Sequence, residues 1–520
     1  MHPLARLDLR YIWHPFTQMR DWLRREPIVV VSGRGAVLRD AHGRRYIDAN
    51  SSIWTNLHGH NQPIINAAIQ KQLKRIAHSS ALGLANEPAS ILAEKLIAAA
   101  NFTGVPTRNR SEKAVGPRLC RVFYSDDGST AMEVALKLAF ESSRRSGRCR
   151  KPRFLTLACA YHGDTIGAVS LGQIHLFRHT WEGLLFKSDE VMAPYCYRCR
   201  YNVAKPERAD ARAYRKCRWE CLETLERRFV AQKKRGEPYA GFVFEPLIQG
   251  AAGMIPQPAG WLRRATEIAR QHNALLIADE VMTGFGRTGS GTAPDGPGPA
   301  ALLFAEGNGV PALPRTGAQG HGPADSRDAV VQPTDFPLFA CLHEGVKPDL
   351  MALAKGMTGG YLPMAATLTT EDIFGEFLGE YSEFKTFFHG HSYTANQLGA
   401  AAALANMDIL ETPRSKRDRV RLEHEMRAQL ARLWELPQVG DIRQVGLIAG
   451  IELVKNWRTK EPFDLRDRAG MRVCEAMAHR GVLTRPIGNV VVIMPPYCTT
   501  TSQMASIVDA LHQSVRSVLG

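Results

Sequence analysis

Long apolar runs are missing from this sequence of 520 residues. Most, such as Ala274–Ala278, are the length of a strand. A bilayer-spanning helix needs about 20 apolar residues, so no membrane partner is expected. The start, Met1 to Phe16, interleaves His, Arg and Asp and lacks the apolar core of a secretory leader, so a cytoplasmic location is expected. Cysteine is sparse: 10 residues cannot make a disulfide scaffold at this length. Acidic residues fall short of basic ones by 15, which raises nucleic acid as a partner. That excess is local. Residues 198–235 carry 13 Lys/Arg against 5 Asp/Glu, and residues 144–153 carry 6 Lys/Arg and no acid, giving 14 of the 15 charges. No stacking aromatics are regularly interleaved with them, so a solvated basic face is expected and no nucleic acid.

Apolar residues make up 44% and charged residues 22%, the balance of an ordinary globular chain of several domains. Short alternating runs at 28–32, 36–39 and 46–48, punctuated by Gly33, Gly35 and Gly43, predict a small antiparallel sheet. Helical spacing begins near Gln62. Strands then alternate with helices: strands at 121–124, 153–159, 241–245, 274–278, 350–354 and 364–368, helices at 130–141 and 261–271. That alternation predicts an α/β fold with ligand sites at the carboxyl ends of strands. Residues 290–337, rich in Gly, Pro and Ala, break the pattern and read as a surface insertion. A helix at 396–410 and strands at 445–453 and 490–494 predict a C-terminal α+β unit. The expected division is 1–61, 62–395 and 396–520, the first and last forming one smaller domain.

Four segments carry candidate chemistry. In LLIADEV, 275–281, Asp279 closes an apolar strand, where a carboxylate either meets a cationic ligand atom or is exposed in the loop that follows. In LAKGMTGG, 353–360, Lys355 follows an apolar strand and precedes a glycine-rich turn. Such a lysine can form a Schiff base with a planar ligand, or be a plain turn lysine. In SDDGSTAME, 125–133, Gly128, Ser129 and Thr130 open a helix, which suits a phosphate or a simple N-cap. Tyr161, in YHGDT at 161–165, follows a strand and can stack on a flat ring or pack in the core. GFGRTG at 284–289 fits a dinucleotide motif by letter only; it leads into the insertion rather than a helix, which excludes that reading. A phosphate cradle, an acid for a pyridinium nitrogen, a stacking aromatic and a Schiff-base lysine are together the parts of a pyridoxal-phosphate site.

The order and wording of these segments resemble the class III, fold type I aminotransferases from about Tyr11 onwards, the insertion excepted. Within that class the chain is most similar to the 7,8-diaminopelargonic acid aminotransferases of biotin synthesis. WHPFTQM at 13–19, SSIWTNLHGH at 51–60, YHGDT at 161–165, FHGHSYT at 388–394 and TRPIG at 484–488 carry the likeness. The resemblance implies a large α/β/α domain around a mostly parallel sheet, with a smaller α+β domain from both chain ends. It implies pyridoxal 5'-phosphate as cofactor and small-molecule substrates, with Lys355 carrying the cofactor and moving the substrate proton. It implies Asp279 on the ring nitrogen, Tyr161 and Val281 on the two ring faces, His162 beside them, and Gly128 and Ser129 on the phosphate. Ser392 would reach the phosphate of a neighbouring subunit in a homodimer with shared sites. Phe16, Trp54, Gly390 and Arg485 would line the substrate pocket, Arg485 pairing with a carboxylate. The implied reaction passes an amino group to 8-amino-7-oxononanoate; another ω-amino acid or diamine substrate of the class is the alternative. Many members that use S-adenosylmethionine carry Tyr at the position of Phe16 and a Trp pair at Ile53–Trp54. The Phe and single Trp here are more similar to members from bacilli, some of which use lysine, so both donors stay open.

Cys196, Cys199, Cys217 and Cys221 are spaced close to a structural zinc pattern. Ordinary cysteines in a basic segment are the preferred reading, and no metal is expected.

Overall fold

A computed structural model of the chain describes residues 1–102, 117–291 and 336–520. The expected insertion lies outside the described residues apart from its first two and last two positions. Three N-terminal strands, β1 (Val30–Arg34), β2 (Val37–Asp40) and β3 (Arg45–Asp48), form the antiparallel sheet that their alternation predicts. Helices α1 (Pro63–Leu73) and α2 (Glu87–Ala100) follow, each with Pro in its first turn, where a missing N–H costs nothing.

Seven strands build the central sheet: β4 (Leu119–Ser125), β5 (Phe154–Leu157), β6 (Asp189–Val191), β7 (Gly241–Phe244), β8 (Leu275–Asp279), β9 (Leu350–Leu353) and β10 (Ala365–Thr370). Their order is β4-β10-β9-β8-β7-β5-β6. Only β10 runs against the others, pairing antiparallel with both β4 and β9. Strands β5, β7, β8, β9 and β10 are buried at every position, as a sheet covered on both faces requires. Helix α3 (Gly128–Arg145) packs Ala131, Val134, Ala135 and Leu138 inward, at the 3–4 spacing of one helix face. Helix α4 (Trp261–Gln271) does the same with Trp261, Leu262, Ala265 and Ala269, and its bounds are those predicted.

Helix α5 (Gln397–Glu411) leads into the C-terminal part, where β11 (Val439–Val445) and β12 (Ile448–Asn456) form a hairpin. The single strand expected at 445–453 is thus corrected. The chain reverses at Gly446, whose φ of +56° suits a residue without Cβ. Short strands β13 (Val482–Leu483) and β14 (Pro486–Ile487) precede β15 (Val490–Ile493). Strand β13 pairs in parallel with β3, Val482 opposite Ile47, so the two chain ends share one sheet. Among the described residues no helix is long and apolar enough to cross a membrane.

Candidate active site

Six parallel strands end at one edge of the sheet, and Gly128, Ser129, Tyr161, Asp279 and Lys355 lie at or just past those ends. Asp279 closes β8 and is 6% exposed. His162 Nδ1–H donates to its Oδ2 at 2.8 Å, and the Val281 N–H donates to Oδ1 at 3.1 Å. His162 is itself buried, and its Nε2 has no partner among the described residues. A buried carboxylate held on two sides is stiff, with lone pairs left for a ligand.

Lys355 follows β9 with φ +46°, a left-handed conformation rare for a side-chain-bearing residue. Its Nζ lies 4.7 Å from the centre of the Trp54 ring. Desolvation lowers the Lys355 pKa below the ordinary lysine value, against the pull of Asp279 and Glu245. A lysine so placed releases its proton more readily, as a nucleophile or base must.

Trp54 is delivered by an unusual turn. Ser51, Ser52, Ile53 and Trp54 all have positive φ, between +46° and +69°. Asp48 anchors this left-handed turn by accepting from the Asn50 N–H at 3.1 Å, the Ser52 N–H at 3.0 Å and His60 Nε2 at 3.0 Å. The Trp54 indole N–H donates to Asn50 Oδ1 at 2.9 Å, fixing the ring.

At the start of α3, Asp127 caps the Thr130 N–H at 2.9 Å, and Thr130 Oγ1 accepts from the Asp127 N–H at 3.0 Å. The N–H groups of Gly128 and Ser129 are left without an acceptor among the described residues. Two free donors at a helix N-terminus are suited to a phosphate. A Cβ on Gly128 would sit 2.7 Å from Val281 Cγ1, so this turn and the residue after Asp279 are in close contact. Ser129 Oγ accepts from the Asp164 N–H at 3.0 Å, bringing the loop after Tyr161 against the same turn.

Tyr161 donates its hydroxyl to Asp164 at 2.9 Å. Its ring meets Phe177 edge-on at 6.0 Å, and Phe177 meets Phe16 edge-on at 5.2 Å. Phe177 therefore joins two predicted residues, though no motif marked it. Glu245 was also missed. It follows β7 as Asp279 ends β8, and it accepts from the Tyr161 N–H at 3.2 Å and the Gly250 N–H at 2.7 Å. Burial pushes its pKa up to about 7, with nearby His162 opposing the rise. An apolar strand ending in a carboxylate was the signal available for it.

Arg485 is exposed between β13 and β14, and among the described residues no carboxylate pairs with it. The Ala49 N–H donates to the Leu483 carbonyl at 2.9 Å, so the strand before Arg485 is bonded to the chain leading into Trp54. Gly390 and Ser392 lie on an exposed segment. His391 Nε2 in that segment lies 2.7 Å from Asp126 Oδ1, two residues before Gly128.

The four grouped cysteines are free thiols, and no group of three or more His, Cys, Asp or Glu among the described residues is arranged to hold a metal. Burial pushes Cys196 to about 12 and Cys221 to about 11, so both are protonated thiols at neutral pH in the metal-free chain. Several arginines of the basic segment are engaged internally: Arg212 with Asp210, Arg198 with Glu452 and Arg228 with Asp189.

A family model described as aminotransferase class-III matches residues 19–307 and 337–515. The chain belongs to the class-III aminotransferase family. As a class-III aminotransferase it has the fold type I architecture and depends on pyridoxal phosphate. It is similar to the adenosylmethionine-8-amino-7-oxononanoate aminotransferase of Geobacter sulfurreducens, 44% identical over 99% of this chain and 97% of that one. The enzyme of the same name from Anoxybacillus flavithermus is 42% identical over 97% of this chain and 94% of its own length. The crystal structure of the Methanocaldococcus jannaschii enzyme of that name matches with a TM-score of 0.79 at 34% identity, covering 99% of both chains. A pyridoxal-phosphate-bound amine transaminase from an uncultivated Pseudomonas species matches at 0.78 with 29% identity, covering 98% of both.

Proposed function

We propose that this aminotransferase passes an amino group to 8-amino-7-oxononanoate, giving 7,8-diaminononanoate for biotin synthesis in the cytoplasm. S-adenosylmethionine or lysine is the donor. The observation that carries this reading is the 44% identity, along nearly the whole chain, to an enzyme named for that reaction. The site residues fit the cofactor: free N–H donors, a clamped buried carboxylate, an unpartnered imidazole nitrogen and a lysine with a lowered pKa.

Pyridoxal phosphate, when bound, supplies an electron sink that makes an amine's Cα–H acidic. Gly128 and Ser129 bind its phosphate through their N–H groups. Asp279, oriented by His162 and the Val281 N–H, holds a proton on the ring nitrogen. Tyr161 and Val281 exclude water from the two ring faces. Lys355 would carry the cofactor and, once released from it, would move the proton between the amine-bearing carbon of the substrate and the cofactor. Phe16, Trp54 and Gly390 shape the pocket, and Arg485 orients the acceptor through its remote carboxylate.

A second copy of the chain completes the site in this proposal, with Ser392 reaching the neighbour's phosphate. Support comes from exposed apolar side chains along the segment that holds Ser392: Leu378, Tyr381, Phe384, Phe388 and Tyr393. Several large exposed apolar side chains on one segment are suited to an interaction surface. A donor screen with 8-amino-7-oxononanoate tests the reaction: diamine should form with S-adenosylmethionine or lysine. Turnover of ω-amino acids or diamines without any of this acceptor would overturn it.

A further inference from the structure

Lys355 holds an unfavourable left-handed backbone, and the fold has to keep it there. The next residues form a tight turn: the Met357 N–H donates to Ala354 O at 3.0 Å, and the Gly359 N–H to Gly356 O at 2.9 Å. The Asn406 amide, from the middle of α5, reaches into this turn. Its Nδ2 donates to the carbonyls of both Gly356 and Met357, each at 3.0 Å. Its Oδ1 accepts from His58 Nε2 at 2.8 Å. Asn406 is fully buried and His58 is 6% exposed, so water does not substitute for either partner.

Each atom has one workable role. The two carbonyls only accept, so the Asn406 nitrogen must face them, and its oxygen then needs a donor. His58 is that donor, in the tautomer with the proton on Nε2. Burial, with Arg419 and Arg287 nearby, keeps the ring neutral. Arg287 donates to the Asn56 carbonyl at 3.2 Å, holding the segment that carries His58. That segment follows directly on the left-handed turn that delivers Trp54. Two strained backbones, one at Trp54 and one at Lys355, are thus tied together by a single side-chain relay.

We propose that His58 and Asn406 are positioning residues that hold Lys355 in the geometry needed to attach the cofactor. The inference rests on Lys355 as the cofactor-bearing residue and is independent of which acceptor is used.

The test uses apoprotein prepared from the full chain. Pyridoxal phosphate is added, the mixture is quenched with borohydride at intervals, and Lys355 modification is followed by mass spectrometry. Equilibrium binding of 4-deoxypyridoxine 5'-phosphate, which lacks the aldehyde, measures the rest of the pocket. Asn406→Ala and His58→Ala should slow Lys355 attachment at least tenfold while leaving analogue binding within threefold. His58→Gln, whose amide N–H can stand in for Nε2–H, should recover attachment to within threefold of the unaltered protein. Attachment at the unaltered rate in both alanine variants overturns the proposal. So does His58→Gln as slow as His58→Ala, or a parallel loss of analogue binding. If Asn406→Ala does not fold, the two His58 variants decide; if these also fail to fold, the relay is a stability element and the positioning role falls. Absence of Lys355 labelling in the unaltered protein would strike the cofactor assignment instead.

Discussion

Replacing Arg485 by Ala separates substrate recognition from stability, because the side chain is exposed and has no carboxylate partner among the described residues. A substitution at such a position changes folding free energy by no more than about 0.5 kcal/mol. The thermal midpoint should therefore stay within about 2 °C, since a chain this long shifts by about 2–4 °C or less per kcal/mol. If the guanidinium binds the acceptor carboxylate, its loss removes a charge-assisted hydrogen-bonded pair, which contributes about 1.5–3 kcal/mol. That is roughly 10- to 150-fold in kcat/KM. Exposure to solvent favours the lower half of that range. Single-turnover kinetics gives the two half-reactions separately. The acceptor half, run with 8-amino-7-oxononanoate, should fall at least tenfold. A carboxylate-free amine is the right control for the other half, because both candidate donors carry carboxylates of their own. Equal losses in the two half-reactions, or a clearly lowered thermal midpoint, would refute the reasoning and make Arg485 a structural residue.

Other outcomes follow from the same geometry. Lys355→Ala should abolish turnover and leave circular dichroism unchanged; near-normal turnover would remove the cofactor assignment. Gly163 has φ +123°, and a Cβ there would sit 2.2 Å from Ser129 Oγ, so Gly163→Ala should cost about 2 kcal/mol or more by chemical denaturation and weaken cofactor binding. His58 is held at about 4 when folded against an ordinary 6.5, so between these values the unfolded chain binds more protons and stability rises with pH. Acidification from pH 6.5 to 4 should thus remove about 3 kcal/mol at this site, and denaturation curves of His58→Gln should show a shallower acid slope than the unaltered protein. Elemental analysis after chelator-free purification should find no stoichiometric zinc at the cysteine group; about one zinc per chain would overturn that expectation.

The parts most legible in the sequence were those that depend on neighbours along the chain. The amphipathic period of Trp261–Gln271 set that helix to the residue, and the apolar run before Asp279 marked both a buried strand and its polar end. Strand direction was not legible at β10, because a strand buried on both faces reads the same either way. The hairpin at Gly446 was hidden for a related reason: two buried strands joined by two residues look like one apolar run. In the site, Phe177 and Asn406 escaped because each has a partner far away along the chain, Phe16 for the first and His58 for the second. Their roles arise from tertiary contacts that no local period encodes. The left-handed run at 51–54 escaped because local propensity argues against it, and Asp48 overrides that preference.

The pairing of β3 with β13 sets a schedule for the protein's birth. Ile47 leaves the ribosome early but cannot meet Val482 until 435 further residues have been added. At about 5–20 residues per second, the first sheet waits roughly 20–90 s for its last strand. Throughout that interval the central sheet can assemble while the chain's opening segment still has an unpaired edge. Nascent protein is therefore open to misassociation along the unpaired edge of β3, and slowing translation anywhere between residues 47 and 482 should prolong that exposure.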